Sequence, residues 1–183
     1  MEPKLSNDRA LRIIAAAREE FAKRGFAGAR VDQIARRAGV NKQLLFYYYH
    51  SKRGLFHAVL AQAAGELEDA LAVLALPEGG PIERLRLVLQ AQFEFLIRHP
   101  QLVALLSQAG RPGGGSFAPA IKRLVVLLAE GQGLGQVRDD LDPHLAALSW
   151  SSPTILAPLV SRTPMIVNGL LPMRILSPSG SAV

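Results

Sequence analysis

Lys42 and Gln43, followed at short intervals by Tyr47, Tyr48 and Lys52, are the side chains of this 183-residue sequence whose types and spacing best match a recognisable chemistry. That chemistry is hydrogen bonding to a polyanion with readable edges, not bond making. A glutamine carboxamide can pair bidentately with the adenine edge in the major groove, and a lysine ammonium can reach guanine or a phosphate. Tyrosine hydroxyls can bond phosphate oxygens, and a lysine in the first turn of a helix adds charge beside the free amides there. No catalytic centre assembles from the remaining residues. The chain has no cysteine, which excludes a thiolate nucleophile, a thiolate metal site and a disulfide framework. His50, His57, His99 and His144 lack a third ligand at useful spacing. No nucleophile-elbow, Walker-type or dinucleotide glycine signature is present. The expectation is a protein that is not an enzyme and uses no cofactor or metal.

Charge is segregated in the way such a role needs. The net charge is +6, and the first 58 residues hold twelve lysines and arginines against five acids, while the remainder is one charge negative. A basic segment on a near-neutral body is the electrostatic footprint of a phosphate-binding module. No apolar run reaches the ~20 residues that span a bilayer, and the first residues do not read as a signal peptide. The expected location is the cytoplasm, in association with the nucleoid, with no membrane partner.

The elements that must position these side chains are helical throughout. Ala10, Ile13, Ile14, Ala17 and Phe21 recur on one face of a helix from Asn7 to Arg24, capped by Ser6 or Asn7 and ended by Gly25. On this helix Arg9, Arg12, Glu19, Glu20 and Lys23 fall off the apolar face. Val31, Ile34, Ala35 and Ala38 mark a second, short helix stopped by Gly39. Asn41 caps a third, Lys42 to about Tyr48, with Leu45, Phe46 and Tyr49 turned inward. Ser51 opens a longer helix to about Leu74, and Pro77, Gly79, Gly80 and Pro81 form the clearest linker. Further helices are expected from Ile82 to before Pro100, from Gln101 to Gln108, from about Phe117 to Gly131, and from Asp142-Pro143 onward. Past residue 150, Pro153, Pro158, Pro164 and Pro172 interrupt an apolar segment that carries only Arg162 and Arg174. No alternating strand pattern occurs, so the expected fold class is all-α.

A short helix, a glycine turn and a second short helix are the core of a helix-turn-helix, whose second helix projects side chains of its N-terminal half into the major groove. Val31, Ile34, Ala35 and Val40 would fix the angle, and Ala35 must be small where the recognition helix crosses it. The run GFAGARVDQIARRAGVNKQLLFYYYHSKRGLF resembles the DNA-binding segment of the TetR (AcrR-like) regulators. The shared pattern is a glycine-aromatic pair, V-x-x-I-A-x-x-A-G-V, an aromatic-rich run and S-K-x-x-L, and the resemblance covers residues 7 to about 67. There are departures. Ala29 and Arg30 stand where the family usually has two hydroxyl residues, which removes the usual cap and leaves Asp32 to favour the helix dipole. Arg30 then offers a charge contact to phosphate, and Gln43 and Leu44 replace a small residue and a threonine of the recognition helix.

The resemblance implies an N-terminal three-helix helix-turn-helix domain over 7–67, joined to a larger helical domain for effector binding and dimerisation over 68–175. Residues 176–183 are expected to be a disordered tail. The stretch EGQGLGQVRDDLDPHLAALS is similar to the family's approach to its penultimate helix. There the last two helices pair with their copies, which would account for the uncharged segment after Leu145. Residues implied at DNA are Arg30, Lys42, Gln43, Leu44, Tyr47, Tyr48 and Lys52. An effector pocket would be walled by Leu60–Leu67, Leu85–Leu96, Leu102–Leu106, Leu124–Leu128 and Trp150, with Gln92, Trp150 and Thr154 as its polar or aromatic markers. Each of these three reads equally well as ordinary core or interface. The expected function is a homodimeric, sequence-specific repressor, released from a palindromic operator by a small, largely apolar effector. The alternative is a DNA-binding protein of the same fold that has no small-molecule effector and is controlled by protein partners or is constitutive.

Overall fold

The computed structural model describes residues 3–108 and 117–150. Among them are eight helices and no strand element: α1 (Pro3–Gly28), α2 (Val31–Ala38), α3 (Lys42–Tyr49), α4 (Lys52–Ala72), α5 (Pro81–Arg98), α6 (Pro100–Gln108), α7 (Ala118–Gly133) and α8 (Pro143–Trp150). The all-α expectation holds.

The breaks between helices are set by residues that the sequence marked. Gly39 takes φ 65, ψ 37, a left-handed conformation that costs glycine nothing, and its amide closes α2 onto the carbonyls of Ala35 and Arg36. The Asn41 side chain accepts from the Leu44 amide at 2.7 Å, and Ser51 Oγ accepts from the Gly54 amide at 2.9 Å, so α3 and α4 both start on side-chain caps. Asp142 Oδ1 receives the amides of His144 and Leu145 at 2.8 and 3.0 Å, and Pro143 supplies the first turn of α8. The first helix differs from expectation at its start, which is Pro3 and not a Ser6 or Asn7 cap, whereas Gly25 (φ 72, ψ 168) breaks it as expected, and a short helical piece continues beyond that break to Gly28.

Two regions of one continuous core follow from these helices. Near the N-terminus, Ile13, Ala17 and Phe21 of α1 meet Ile34 of α2, Leu45 of α3 and Leu55 of α4, all fully or almost fully buried. Phe21, Phe26 and Phe56 form an aromatic cluster there, with ring centroids 5.1–6.1 Å apart. Farther along, Leu71, Leu85, Val88, Leu124 and Leu128 bring α4, α5 and α7 together, and α8 packs against α7. Helix α6 buries Leu102 and Leu105 while lying against α1. Helix α4 runs unbroken through residues 67 and 68, the expected domain boundary, so it is a strut shared by both halves. Across it, Arg18 Nη1 of α1 grips both carboxylate oxygens of Glu66 at 2.8 Å.

Candidate nucleic-acid interface

The recognition-helix candidate α3 is held by its inner face. Leu45 is completely buried, Phe46 is half-buried against the core, and the Tyr49 hydroxyl donates to the carbonyl of Ala10 in α1 at 3.2 Å. Burial, reinforced by the neighbouring Tyr48, pushes the Tyr49 phenol above its ordinary value of 10.0. The opposite face is open. Lys42 and Gln43 are exposed in the first turn, Leu44 is half-buried beside them, and Tyr47 is 76% exposed. Tyr48 is half-buried between its neighbours, edge-on to Tyr47 at 5.6 Å and tilted to Tyr49 at 6.2 Å. The three tyrosines therefore do different jobs: one projects, one props it and one anchors the helix.

Around α3 the charges are arranged in pairs. Lys42 Nζ lies 2.9 Å from Asp32 Oδ1 across the turn, and Arg37 reaches Glu19 of α1 at 3.1 Å. Arg30 is exposed at the start of α2, where no side chain caps the helix. Its backbone amide donates to Glu20 at 3.3 Å. Glu20 itself is only 3% exposed, although helical spacing had placed it off the apolar face. The oxygen that accepts the Arg30 amide, Oε1, also takes Arg24 at 3.2 Å, so the buried charge is compensated by a guanidinium and a backbone amide. Lys52 donates to the Ala27 carbonyl at 3.0 Å and sits 5.1 Å from the Phe26 ring centroid, which ties the start of α4 to the end of α1. The anchoring role of Glu20 escaped sequence reasoning, whereas Tyr49 was expected to turn inward and only the partner of its hydroxyl, the Ala10 carbonyl, was not foreseen. The one available signal was the i, i+4 spacing of Glu20 and Arg24.

Exposed lysine, glutamine and tyrosine lie on the free face of a short helix that a glycine turn sets against a second helix, the geometry of a helix-turn-helix. Comparison with known proteins supplies the family. Residues 13–59 match the family model described as bacterial regulatory proteins, tetR family. The HTH-type transcriptional repressor SCO4008 of Streptomyces coelicolor is 36% identical over 70% of this chain and 67% of its own length. The chain belongs to the TetR family. The HTH-type transcriptional repressor NicS of Pseudomonas putida is 30% identical over 70% of this chain and 66% of its own length. The match thus spans about two thirds of these curated relatives. The Bacillus subtilis transcriptional regulator FadR, solved in complex with stearoyl-CoA, superposes with a TM-score of 0.68 at 21% identity, covering 90% of this chain and 97% of that one. It extends the likeness of fold to the second half of the chain. As a TetR-family member the chain is a transcription regulator and not an enzyme.

In the second half, the stripes expected to wall an effector pocket are packed core, with Leu60, Leu85, Leu102, Leu105, Leu124 and Leu128 at most 1% exposed. Gln92, on α5, is partly buried, and its Nε2 is shielded from solvent with no hydrogen-bond partner among the described residues. The Trp150 side chain and Thr154 lie outside the described residues, as do the proline-interrupted segment past residue 150 and the expected tail. A cleft of about 580 Å³ opens at the junction of α1, α4 and the α5–α6 turn, with Arg18, Glu66 and His99 among its lining residues. No described helix is long and apolar enough to cross a membrane.

Proposed function

We propose that this regulator is a homodimeric repressor that places α3 of each copy in successive major grooves of a palindromic operator. The observation that carries the reading is the open face of α3, where Lys42, Gln43 and Tyr47 stand in solvent on a helix fixed from behind by Leu45 and Tyr49. Gln43 reads an adenine edge, and Lys42 reads a guanine edge or a phosphate. Arg30, Tyr47 and Tyr48 bond the backbone, Leu44 packs on a base methyl, and Lys52 contributes its charge from the α1–α4 corner. Repression is the role of both SCO4008 and NicS by name, and the protein would exert it at the nucleoid in the cytoplasm.

Dimerisation is assigned to the α7–α8 side. Val126, Leu134 and Leu145 are 45%, 65% and 65% exposed there, and the apolar chain beyond residue 150 follows directly. A small, largely apolar effector acts in the C-terminal half, with Gln92, Trp150 and Thr154 as its polar or aromatic contacts. The shielded carboxamide nitrogen of Gln92 supports this part, because a donor without a partner among the described residues is available to an acceptor on a ligand. The acyl-CoA seen on FadR shows that one protein of this fold takes a long apolar chain. Such a ligand weakens DNA binding only by its differential affinity for the two states.

The test is selection from a randomised duplex pool at moderate salt. A retained palindrome with half-sites about one helical turn apart or slightly more is the expected result. Folded alanine variants of Lys42, Gln43 and Tyr47 should then lose operator affinity. Salt-sensitive retention with no enriched sequence would overturn the base-reading assignment.

A further inference from the structure

Lys42 does not stand free at the groove-facing end of α3. Its ammonium lies 2.9 Å from the carboxylate of Asp32, in the first turn of α2, and the two side chains remain 51% and 67% exposed. Asp32 favours the α2 dipole from the first turn, but that role does not require a partner on α3, and an exposed pair of this kind itself adds little to stability. We propose that Asp32 is a specificity-determining positioning residue: it holds Lys42 toward base edges and away from the phosphate backbone. This rests on the DNA-reading assignment of α3.

The argument is electrostatic. A phosphate that takes Lys42 for itself must pull the ammonium from Asp32 and leave that carboxylate facing a polyanion. A guanine edge asks for less. An ammonium has three donors, so it can keep one on Asp32 while giving others to the acceptors of guanine. Phosphate contacts are the same at every sequence, whereas base contacts are not. Penalising the first and sparing the second lowers nonspecific binding more than operator binding. The nearby ion pairs Arg37 with Glu19 and Arg24 with Glu20 lie on α1 and α2 and involve no residue of α3.

The experiment measures binding of the full-length protein to two probes over a salt series: the palindrome recovered from the pool, and a duplex of random sequence. Asp32→Asn is expected to bind the random duplex roughly 3- to 10-fold more tightly. Its plot of log affinity against log salt should steepen by about 0.9, the increment for one added phosphate contact on duplex DNA. Operator affinity should change less, so the ratio of operator to random binding falls. Asp32→Glu should restore the parent ratio. In a Lys42→Ala background Asp32→Asn should no longer steepen the slope, because the released ammonium is gone. Asp69→Asn, on the exposed side of α4, removes the same charge away from the recognition helix and should leave the ratio unchanged. An unchanged slope and ratio in Asp32→Asn would overturn the proposal, as would the same increment without Lys42. A parent protein that prefers no sequence would instead overturn the DNA-reading assignment itself.

Discussion

Replacing Gly39 by alanine isolates the energetics of the turn on which α3 depends. Gly39 sits at φ 65, and a Cβ built there would meet nothing nearer than the Arg12 guanidinium at 3.6 Å, an ordinary contact. Sterics therefore contribute little, and the penalty is conformational. An L-residue in the left-handed region costs about 1–2 kcal/mol, offset in part by the smaller entropy of the unfolded alanine chain, about 0.4–1 kcal/mol. A net loss of roughly 1 kcal/mol is expected, which for a chain of this size lowers Tm by about 2–4 °C. Gly65 is the internal reference. It lies exposed within α4 with nothing inside 4 Å of a built Cβ, so the same substitution should stabilise by about 0.5–1 kcal/mol through helix propensity. Asn tolerates the left-handed region better than Ala, so Gly39→Asn should lose less than Gly39→Ala. Thermal or urea unfolding of the three variants, each beside the parent, reads the result. The reasoning is refuted if Gly39→Ala and Gly65→Ala shift stability in the same direction, or if Gly39→Asn is as damaging as Gly39→Ala.

Asn41→Ala and Ser51→Ala each remove a side-chain cap and should lose about 1 kcal/mol in denaturant titrations. The first should also weaken operator binding, because it frays the helix that carries Lys42 and Gln43. Tyr49 holds its proton more tightly folded than unfolded, so its contribution is complete below pH ~10 and is lost as pH rises through its folded value. Tyr49→Phe should lose about 0.5–1.5 kcal/mol at neutral pH by giving up the bond to Ala10. It should also flatten the alkaline end of the stability profile, and an alkaline limb identical to the parent's would sink the assignment. Glu66→Gln breaks the two-oxygen grip on Arg18, which is intermediate between a surface and a buried pair, and should lose roughly 1–3 kcal/mol. Gln92→Leu removes a shielded donor without a partner and should leave the ligand-free protein up to about 1 kcal/mol more stable. A clear loss of stability there would show that the carboxamide already has a partner.

The DNA-binding half was legible because its information is local. Gly39, Asn41 and Ser51 act on amides and carbonyls within a few residues, and the structure places each helix boundary between α2 and α4 within a residue or two of the pattern. The start of α1 was misplaced because a cap-forming residue is a permission, not a command, and a proline tolerated in the first turn lets the helix begin earlier. Glu20 was misread for a different reason. Periodicity sorts residues by polarity, so it sends every carboxylate to solvent, and only three-dimensional placement reveals that Arg24 and the Arg30 amide converge on this one. Lys42 shows the same limit in mirror image. Its type and position announced a DNA contact, but its partner Asp32 lies ten residues back on another helix.

That asymmetry also explains why the effector half stayed opaque. A reading head must present side chains outward from a short, rigid segment, so residue type and spacing nearly specify it. A pocket is defined by what the core leaves unfilled, and apolar stripes on α4, α5 and α7 look alike in sequence whether they close on each other or on a ligand. Here Leu85, Leu124 and Leu128 close on each other. What distinguishes Gln92 is no property of its neighbours in sequence. It is the absence of an acceptor around a shielded nitrogen, a quantity that exists only once the helices are packed. The same holds for the grip of Arg18 on Glu66, formed between residues 48 positions apart. Helix α1 carries that arginine, buries the face on which α2 and α3 are built, and packs against α6. Helix α1 thus joins α6 and α2 in one packed unit, and the Arg18–Glu66 pair ties that unit to α4.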